Sequence, residues 1–436
     1  MALGGGTFLV QNKELPGAYI NFVSKAAASP TLSERGIATM PLELDWGKEG
    51  EIFEVKGGSF QESSMEIFGY EYTSDKLKGI RDLFLNAQTL YGYRLNGNGK
   101  KASNGLAEAL YSGVRGNDLK IVVQVNADDE SLFDVRTILG SNVVDEQTVA
   151  DAAGLADNKF LRWKSGITLE AAAAIPMAGG ENGEVSGADH QAYLDKAESF
   201  AFNTMGAAVT DDTTKSLYAA YNKRLRDEMG VKFQLVLYDY AKADYMGAIS
   251  VSNKVLDGGW GEASLVYWVT GASAGCAVNK SNQNKRYDGS FTIETPHTQS
   301  QLKAAIRAGE FVFHKVGTDV RVLEDINTMV TASDTMGDVF KDNQTIRVID
   351  QIGNDIAVLF NTKYLGIVPN DAPGRISLWS DIVKHHERLQ DIRAIEGFSD
   401  ADVKVDQGDT KKSVVVTDLV TVVNAMGRLY MTVTVE

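Results

Sequence analysis

Apolar and polar side chains alternate most regularly at the carboxyl end of the chain, in the segment GRLYMTVTVE at 427–436. A period of two with β-branched and aromatic residues predicts a β-strand. The strand would run to the last residue, where chains are usually frayed unless something holds them. Its two predicted faces carry Leu429, Met431, Val433 and Val435 on one side, and Tyr430, Thr432 and Thr434 on the other.

Strand and helix patterns alternate in two stretches, residues 31–95 and 183–335. In the first, EIFEVKG and TLYGYRLN are strand-like and flank TSDKLKGIRDLFLNAQ, a helical pattern with Thr73 or Ser74 as N-cap. In the second, the strands ESFAFNTMGAA and KFQLVLYDY flank a helix capped by Asp211 or Asp212, and EASLVYWVTGASAGCAVNKS predicts a buried helix. This alternation predicts α/β packing.

Other elements are predicted near the end of the second stretch. Thr298 and Gln301 have the spacing of a capping box, which marks a helix start. EFVFHKVGTDVRVLED then predicts a hairpin that turns at Gly317–Asp319.

Residues 96–182 interrupt the α/β pattern. LKIVVQVNA, LFDVRTIL, NVVDEQTVA and FLRWKSG are short strand patterns separated by turn residues, a spacing typical of a small β-sandwich or barrel. We interpret the glycine-rich stretch AAAAIPMAGGENGEVSG as a linker that returns to the α/β domain. The sequence therefore predicts an inserted β domain.

Residues 336–436 predict an α+β module. DVFKDNQTIRVIDQIGNDIAVLFNTKYLG is one amphipathic helix pattern. The apolar residues near one face are Val339, Ile346, Ile349, Ile352, Ile356 and Leu359. Pro369 and Pro373 bracket a predicted turn before a second helix, GRISLWSDIVKHHERLQDIRAIEG, and three β segments follow. Residues 1–30 hold two short strand-like pieces between a glycine run and Pro30, and predict an extended arm.

Composition excludes several classes of protein. The 436 residues are 44% hydrophobic and 23% charged, which is ordinary for a globular chain of about three domains. A formal charge of −15 disfavours nonspecific binding to nucleic acid or anionic membrane. No signal peptide or membrane-spanning run is evident, so a cytoplasm-like compartment is expected. The single cysteine, Cys276, is predicted to be buried and to act as a small apolar side chain.

The sequence contains no recognised motif for catalysis or cofactor binding. No phosphate-binding glycine loop, zinc pattern or nucleophile elbow occurs, so neither an enzyme nor a cofactor or metal is predicted. A serine triad stays open, with His190 in a polar loop, His297 before a helix and His314 in a strand as candidates. His385 and His386 are adjacent, so their rings diverge by about 100° on a helix, and we interpret them as surface residues.

An unprotected terminal strand needs a partner, because unpaired strand edges promote aggregation. The strand pairs either within its own chain or across chains, where it would add a strand to a neighbour's sheet. The residues alone leave both alternatives open.

Four stretches resemble the contractile phage tail sheath family. They are LPGAYINFVS at Leu15–Ser24, PLELDWG at Pro41–Gly47, FGYEYTSDKLKGIRDLFLNAQTLYGYRLNG at Phe68–Gly97 and VNAMGRLYMTVTV at Val423–Val435. The similarity is to the sheaths of Gram-positive myophages, PBSX-like defective prophages and R-type bacteriocins. It spans nearly the whole chain.

The resemblance implies a structural protein that polymerises as stacked hexameric rings around a tail tube. Its contraction would drive the tube through a cell envelope. The implied partners are further copies of the chain, the tail tube protein, and baseplate and tail terminator proteins. The particle would be a phage tail or bacteriocin that assembles in the bacterial cytoplasm.

The resemblance also implies the multidomain fold, α/β and α+β with an inserted β-sandwich. The implied divisions are an extended arm at 1–30, the first part of an α/β domain at 31–95, the β-sandwich at 96–182, an α/β domain of subtilisin-like topology at 183–335, and a C-terminal sheath domain at 336–436. The resemblance further implies that terminal strands would be exchanged between subunits.

Three sets of residues follow as candidate contacts. The C-terminal strand would contribute Leu429 to Val435. The N-terminal arm would contribute Pro16, Gly17, Tyr19, Ile20 and Phe22. The basic helix Ile376–Ile395 would face the tube through Lys384, His385, Arg388 and Arg393, unless this face is simply solvated. The competing functions are a cytosolic, hydrolase-like α/β enzyme and another tail structural protein.

Overall fold

A computed structural model describes residues 32–295, 297–333 and 336–435. The candidate residues of the N-terminal arm, Pro16 to Phe22, lie outside this range. The described residues form two compact units. The larger unit contains Glu34–Asn354 and 422–435, and the smaller contains 32–33 and Asp355–Thr421.

The helices and strands of the larger unit follow in chain order. The first block contains β1 (Ile37–Leu42), β2 (Ile52–Lys56), α1 (Phe60–Phe68), α2 (Lys78–Phe84) and β3 (Thr89–Arg94). The insert contains β4 (Lys101–Ser103), β5 (Ala107–Ser112), β6 (Leu119–Val125), β7 (Phe133–Leu139), β8 (Asn142–Val149), β9 (Leu161–Trp163) and β10 (Ala172–Pro176). The next block contains α3 (Gly187–Ala197), β11 (Thr204–Ala207), α4 (Asp212–Asp227), β12 (Gln234–Tyr238), β13 (Ala248–Val251), α5 (Leu265–Gly275), α6 (Gln299–Ala308), β14 (Glu310–Phe311), β15 (Phe313–Val316) and β16 (Asp319–Val322).

A seven-stranded sheet in the order β14-β13-β12-β11-β1-β3-β2 forms the centre of the larger unit. All neighbours are parallel except β2, which pairs antiparallel with β3. Every residue of β12 is buried, because Val236 packs in the core with α5 while Leu235 and Leu237 pack with α3 and α4. Helices on both faces explain why this strand lacks alternation.

Small residues in α5 permit close packing on the α2 region. A Cβ at Gly271 would lie 2.2 Å from the carbonyl oxygen of Leu83, and one at Gly275 would lie 1.9 Å from that of Asn86. The glycines of VTGASAG are therefore required because the backbone of α5 lies against the backbone of residues 83–86. Cys276 follows it and is buried, as expected from the sequence.

The insert is a β-sandwich. One antiparallel sheet has the order β10-β6-β7-β8 and the other has the order β4-β5-β9. Their core includes Leu119, Ile121, Val135 and Leu161. The interpretation of AAAAIPMAGG as a linker is wrong in its first half, because Ala172–Pro176 is β10 and pairs with β6. Its alanines carry little strand signal, and the pairing arises from the neighbouring strand.

The remaining elements are α7 (Asn343–Leu359), a π-helical turn at Phe360–Tyr364, α8 (Ala372–Asp391), β17 (Ile395–Glu396), β18 (Val403–Gln407), β19 (Val414–Asp418) and β20 (Thr421–Val422). The division between the units falls within α7. In the smaller unit, Leu378, Ile382 and Val383 of α8 form a core with Val403 of β18. The strands β18 and β19 pair antiparallel over five residue pairs.

Most local expectations are confirmed. Ser74 caps the turn before α2, Asp211 caps α4, and the capping box of Thr298 and Gln301 starts α6. The hairpin β15–β16 turns where expected, with Val316 paired to Asp319.

Three local expectations are wrong. Val339 lies in a short 3₁₀ turn and is exposed, Pro373 lies inside the first turn of α8, and His190 lies in α3. Proline is tolerated in the first helical turn because the amide groups there have no intrahelical partner. In the described part of the chain, no helix is both long and apolar enough to cross a membrane.

Candidate assembly surface

The start of the C-terminal segment is anchored to α7 by side-chain hydrogen bonds within the larger unit. Gln344, near the start of α7, donates from Nε2 to the carbonyl oxygen of Val423 (3.0 Å) and accepts at Oε1 from the amide of Ala425 (2.9 Å). Asn424 and Thr345 also hydrogen-bond through their side chains, at 3.1 Å. We call residues 423–425 the arm root and residues 426–435 the C-terminal arm.

The C-terminal arm is exposed. Its large apolar side chains from Leu429 to Val435 are between 68% and 87% exposed. Residues 424–435 have no strand assignment, so the predicted strand pairs with nothing in the described part of the chain. Arg428 forms an exposed ion pair with Glu324 at 3.2 Å. An exposed segment with regularly spaced apolar side chains is typical of a surface that binds another chain.

Free strand edges occur in the smaller unit as well. Among the described residues, β18 and β19 pair only with each other, so each has an unpaired edge. Val415, Val416 and Leu419 on and after β19 are exposed. An unpaired edge with exposed apolar residues is able to accept a further strand.

The basic face of α8 is smaller than the sequence suggests. His385 and His386 are 1% and 0% exposed, so the surface interpretation is wrong for both, and His385 is withdrawn as a tube-facing candidate. His385 Nε2 bonds Asp355 at 2.9 Å, and His386 Nε2 bonds Asp418 at 2.8 Å. Both histidines are buried because each has a hydrogen-bond acceptor, Asp355 on α7 and Asp418 on β19. Helical spacing alone would place them on an exposed polar face.

The other basic candidates are on the surface to different degrees. Lys384 is exposed and Arg388 is half-buried. Arg393 is exposed but lies beyond the end of α8, with φ +59°. Lys384 and Arg388 therefore share a helix, whereas Arg393 belongs to the turn that follows it.

Substituting His385 by Leu is expected to destabilise the smaller unit by about 1–3 kcal/mol, because the buried carboxylate of Asp355 loses a hydrogen bond. Thermal denaturation of the unassembled subunit measures this. Lys384→Leu, at the adjacent exposed position, is the control and is expected to shift the midpoint little. Equal midpoints for the two variants would contradict the structural role of His385.

The triad candidates do not meet a serine hydroxyl among the hydrogen bonds of the described residues. His190 Nδ1 bonds the hydroxyl of Tyr218 at 2.8 Å, and His297 Nε2 lies 3.1 Å from the amide nitrogen of Asn253. Burial lowers the pKa of His190 and of His314, which is in β15, and raises the pKa of Cys276. In the described residues, no group of three or more acidic, histidine or cysteine side chains is placed to hold a metal.

No sequence motif marks the arm root. Gln344 is one of two glutamines on the amphipathic helix α7, and its pairing with the backbone of Val423 and Ala425 spans about eighty residues of chain. Long-range side-chain bonds of this kind are specified by packing rather than by a local motif.

Comparison with known proteins identifies the family of the chain. Four phage tail sheath models match it in succession: the domain III N-terminal region at 35–95, the β-sandwich domain at 96–182, the central domain at 183–328 and the C-terminal domain at 335–436.

Individual relatives agree with these models. The phage-like element PBSX protein XkdK of Bacillus subtilis is 31% identical, with all of both chains covered. The sheath tail protein of Desulfitobacterium hafniense superimposes with a TM-score of 0.82 at 36% identity, covering 94% of this chain and 97% of that chain.

A more distant structure shares the fold. The helical sheath of the anti-feeding prophage in its contracted state matches with a TM-score of 0.57 at 13% identity, covering 97% of this chain and 99% of that chain. The exposed C-terminal arm, the multidomain mixed α/β fold and these matches lead to one conclusion: the chain belongs to the contractile phage tail sheath family and is a structural component of a tail sheath.

Proposed function

We propose that the protein polymerises helically around a tail tube, and that neighbouring subunits are linked by the C-terminal arm. The observation that carries this proposal is the alternating, exposed segment Leu429–Val435, which has no ladder partner in the described chain. In a neighbour's sheet, its backbone groups would form ladder bonds and its side chains would set the register.

The acceptor in this proposal is a free edge of β18 or β19 in a neighbouring subunit. Five ladder bonds at about 0.5–1.5 kcal/mol each make a modest link. Repetition of the link along every helical strand of a polymer makes it strong through multivalency. The N-terminal arm, with Pro16, Gly17, Tyr19, Ile20 and Phe22, is proposed as a second exchanged segment.

The link formed by the C-terminal arm would also allow the sheath to contract without losing its subunits. The extended sheath is a kinetically trapped state that baseplate and tube maintain. Triggering allows the subunits to rotate and repack into a shorter, wider lattice while the arms keep neighbours attached. The free energy of the new contacts drives the tube through an envelope. The proposal gives the chain no catalytic role, and places its assembly in the bacterial cytoplasm with tube, baseplate and terminator proteins as partners.

Negative-stain microscopy of the purified protein tests the proposal. We expect hollow tubes that appear above a threshold concentration, since a head-to-tail interface that does not close forms a helical filament. A monomer or closed oligomer at every concentration would contradict it and would favour a cytosolic enzyme.

We also propose that Lys384 and Arg388 of α8 face acidic residues of the tail tube. Replacing both with Glu is expected to weaken assembly of extended sheaths on tubes, with a stronger effect at low salt, because exposed charges are screened. Assembly is measured by co-sedimentation with purified tubes. The control makes the same two changes at Lys303 and Arg307, which are exposed and four residues apart on α6, away from the proposed acceptor strands. Normal co-sedimentation of the double variant would rule out the tube-facing role.

A further inference from the structure

The carboxamide of Gln344 binds the arm root as a neighbouring strand would. Its donor meets the carbonyl oxygen of Val423 and its acceptor meets the amide of Ala425, two residues further along. A β-ladder offers one donor and one acceptor to alternate residues in this way. The orientation of the amide follows from its partners, since a carbonyl only accepts and a backbone N–H only donates.

The site is built for this contact. Gln344 is 2% exposed, although it lies within the first turn of α7, where a glutamine would ordinarily extend into water. Its neighbour Thr345 bonds the side chain of Asn424, so two successive residues of the helix hold three successive residues of the chain. A buried polar group that is hydrogen-bonded at both its donor and its acceptor favours one geometry, because leaving either atom unpaired is costly.

The contacts weaken over the three residues that follow the arm root. A Cβ at Gly427 would lie 3.0 Å from the side chain of Gln283, so the chain still passes close to the larger unit there. Arg428 then forms only an exposed ion pair with Glu324, and such pairs contribute little. From Leu429 onward the arm is exposed.

We propose that Gln344 is the positioning residue that determines where the C-terminal arm leaves its own subunit. The inference rests on the proposed strand exchange and adds the position from which the exchanged strand extends. With the root held, the seven residues Leu429–Val435 span at most about 23 Å as a strand. Release of the root would lengthen the free segment by at least three residues, about 10 Å, and loosen the register between neighbours.

Hydrogen exchange of the unassembled full-length subunit tests the contact itself. Gln344→Ala is expected to speed exchange in peptides covering 423–427 by about tenfold or more, since the amide of Ala425 loses its buried acceptor. Gln299→Ala is the matched control, because Gln299 is exposed in the first turn of α6 in the same unit. Unchanged exchange at 423–427 would overturn the proposal.

A second variant guards against a general effect of altering α7. Ala425→Pro removes the donated N–H without changing the helix, so Gln344 loses the same contact, although position 425 then has no amide hydrogen to exchange and this variant is read by assembly alone. Both variants are expected to form tubes at a threshold concentration several-fold higher than the wild type, with broader variation in helical spacing. Tubes with wild-type threshold and spacing would overturn the positioning role.

These outcomes are separate from failure of the proposed function. If removal of the arm leaves polymerisation intact, strand exchange itself is wrong. If the arm is required but the Gln344 variants assemble normally, only the role of Gln344 is wrong.

Discussion

A chain that lacks Tyr430–Glu436 is expected to fold and remain soluble but to form no sheath. Between Leu429 and Val435 the large apolar side chains lie in solvent, so their removal costs the subunit almost no packing. It would abolish the strand that a neighbour is proposed to accept. We expect the truncated protein to retain the wild-type melting temperature and to show no tubes in negative-stain microscopy.

A single substitution distinguishes the effect of backbone strand pairing from the effect of losing apolar side chains. Val433→Pro keeps an apolar side chain but removes one backbone donor and disfavours a central strand. It is expected to weaken polymerisation, whereas Val433→Ile keeps the strand pattern and is expected to polymerise normally. Polymerisation of the truncated chain at the wild-type threshold would show that the arm is not the intersubunit link.

The second large effect concerns the folded state of the larger unit. Asp325→Ala is expected to lower the free energy of unfolding by about 3–5 kcal/mol, because it leaves a buried guanidinium without its counter-ion. Arg347 Nη2 lies 2.6 Å from Asp325 Oδ2, and both side chains are 1% exposed. Asp325 also accepts hydrogen bonds from the backbone amide of Asn282 and the side chain of Asn343.

Urea denaturation of the unassembled subunit measures this effect. Asp338→Ala is the control, because Asp338 is exposed and its ion pair with Lys341 is on the surface. We expect the control to change stability by less than about 1 kcal/mol. Equal unfolding midpoints for Asp325→Ala and Asp338→Ala would contradict the importance of the buried pair.

The same pair predicts the direction of acid sensitivity. Burial raises the pKa of Asp325, but Arg347 and the hydrogen bonds lower it by more, so the pKa lies below its usual value. A carboxyl group whose pKa is lowered on folding stabilises the protein above its unfolded pKa. That contribution is therefore complete at neutral pH and is lost as the pH falls through the lowered folded-state pKa.

Local patterns predicted most elements because the forces that form them act over a few residues. The apolar run Leu235–Tyr238 of β12, the small residues of α5 and the capping box of α6 each depend on residues that are close together in the chain. Strand β10 was missed because AAAIP has weak strand propensity and depends on pairing with β6. The family resemblance came from long motifs, and the matched relatives confirm it.

Some of the candidate intersubunit contacts can also be read from the sequence, and others depend on the tertiary structure. The alternation of residues 429–435 is a property of the sequence alone, and it identified the segment that is exposed. The burial of His385 depends on Asp355, thirty residues away on α7, and helical spacing cannot reveal such an acceptor. Lys384, one position before it, faces water, so the two adjacent residues have opposite roles.

The sequence by itself determined the sheath family, most of the elements and the apolar alternation of the C-terminal segment, because periodicity and long motifs can be read directly from the chain. Only the tertiary structure decided which charges are buried and where the C-terminal arm begins. Those features depend on atoms that lie far apart in the chain, such as Gln344 with Val423 and Arg347 with Asp325, and are brought within hydrogen-bond distance only by packing.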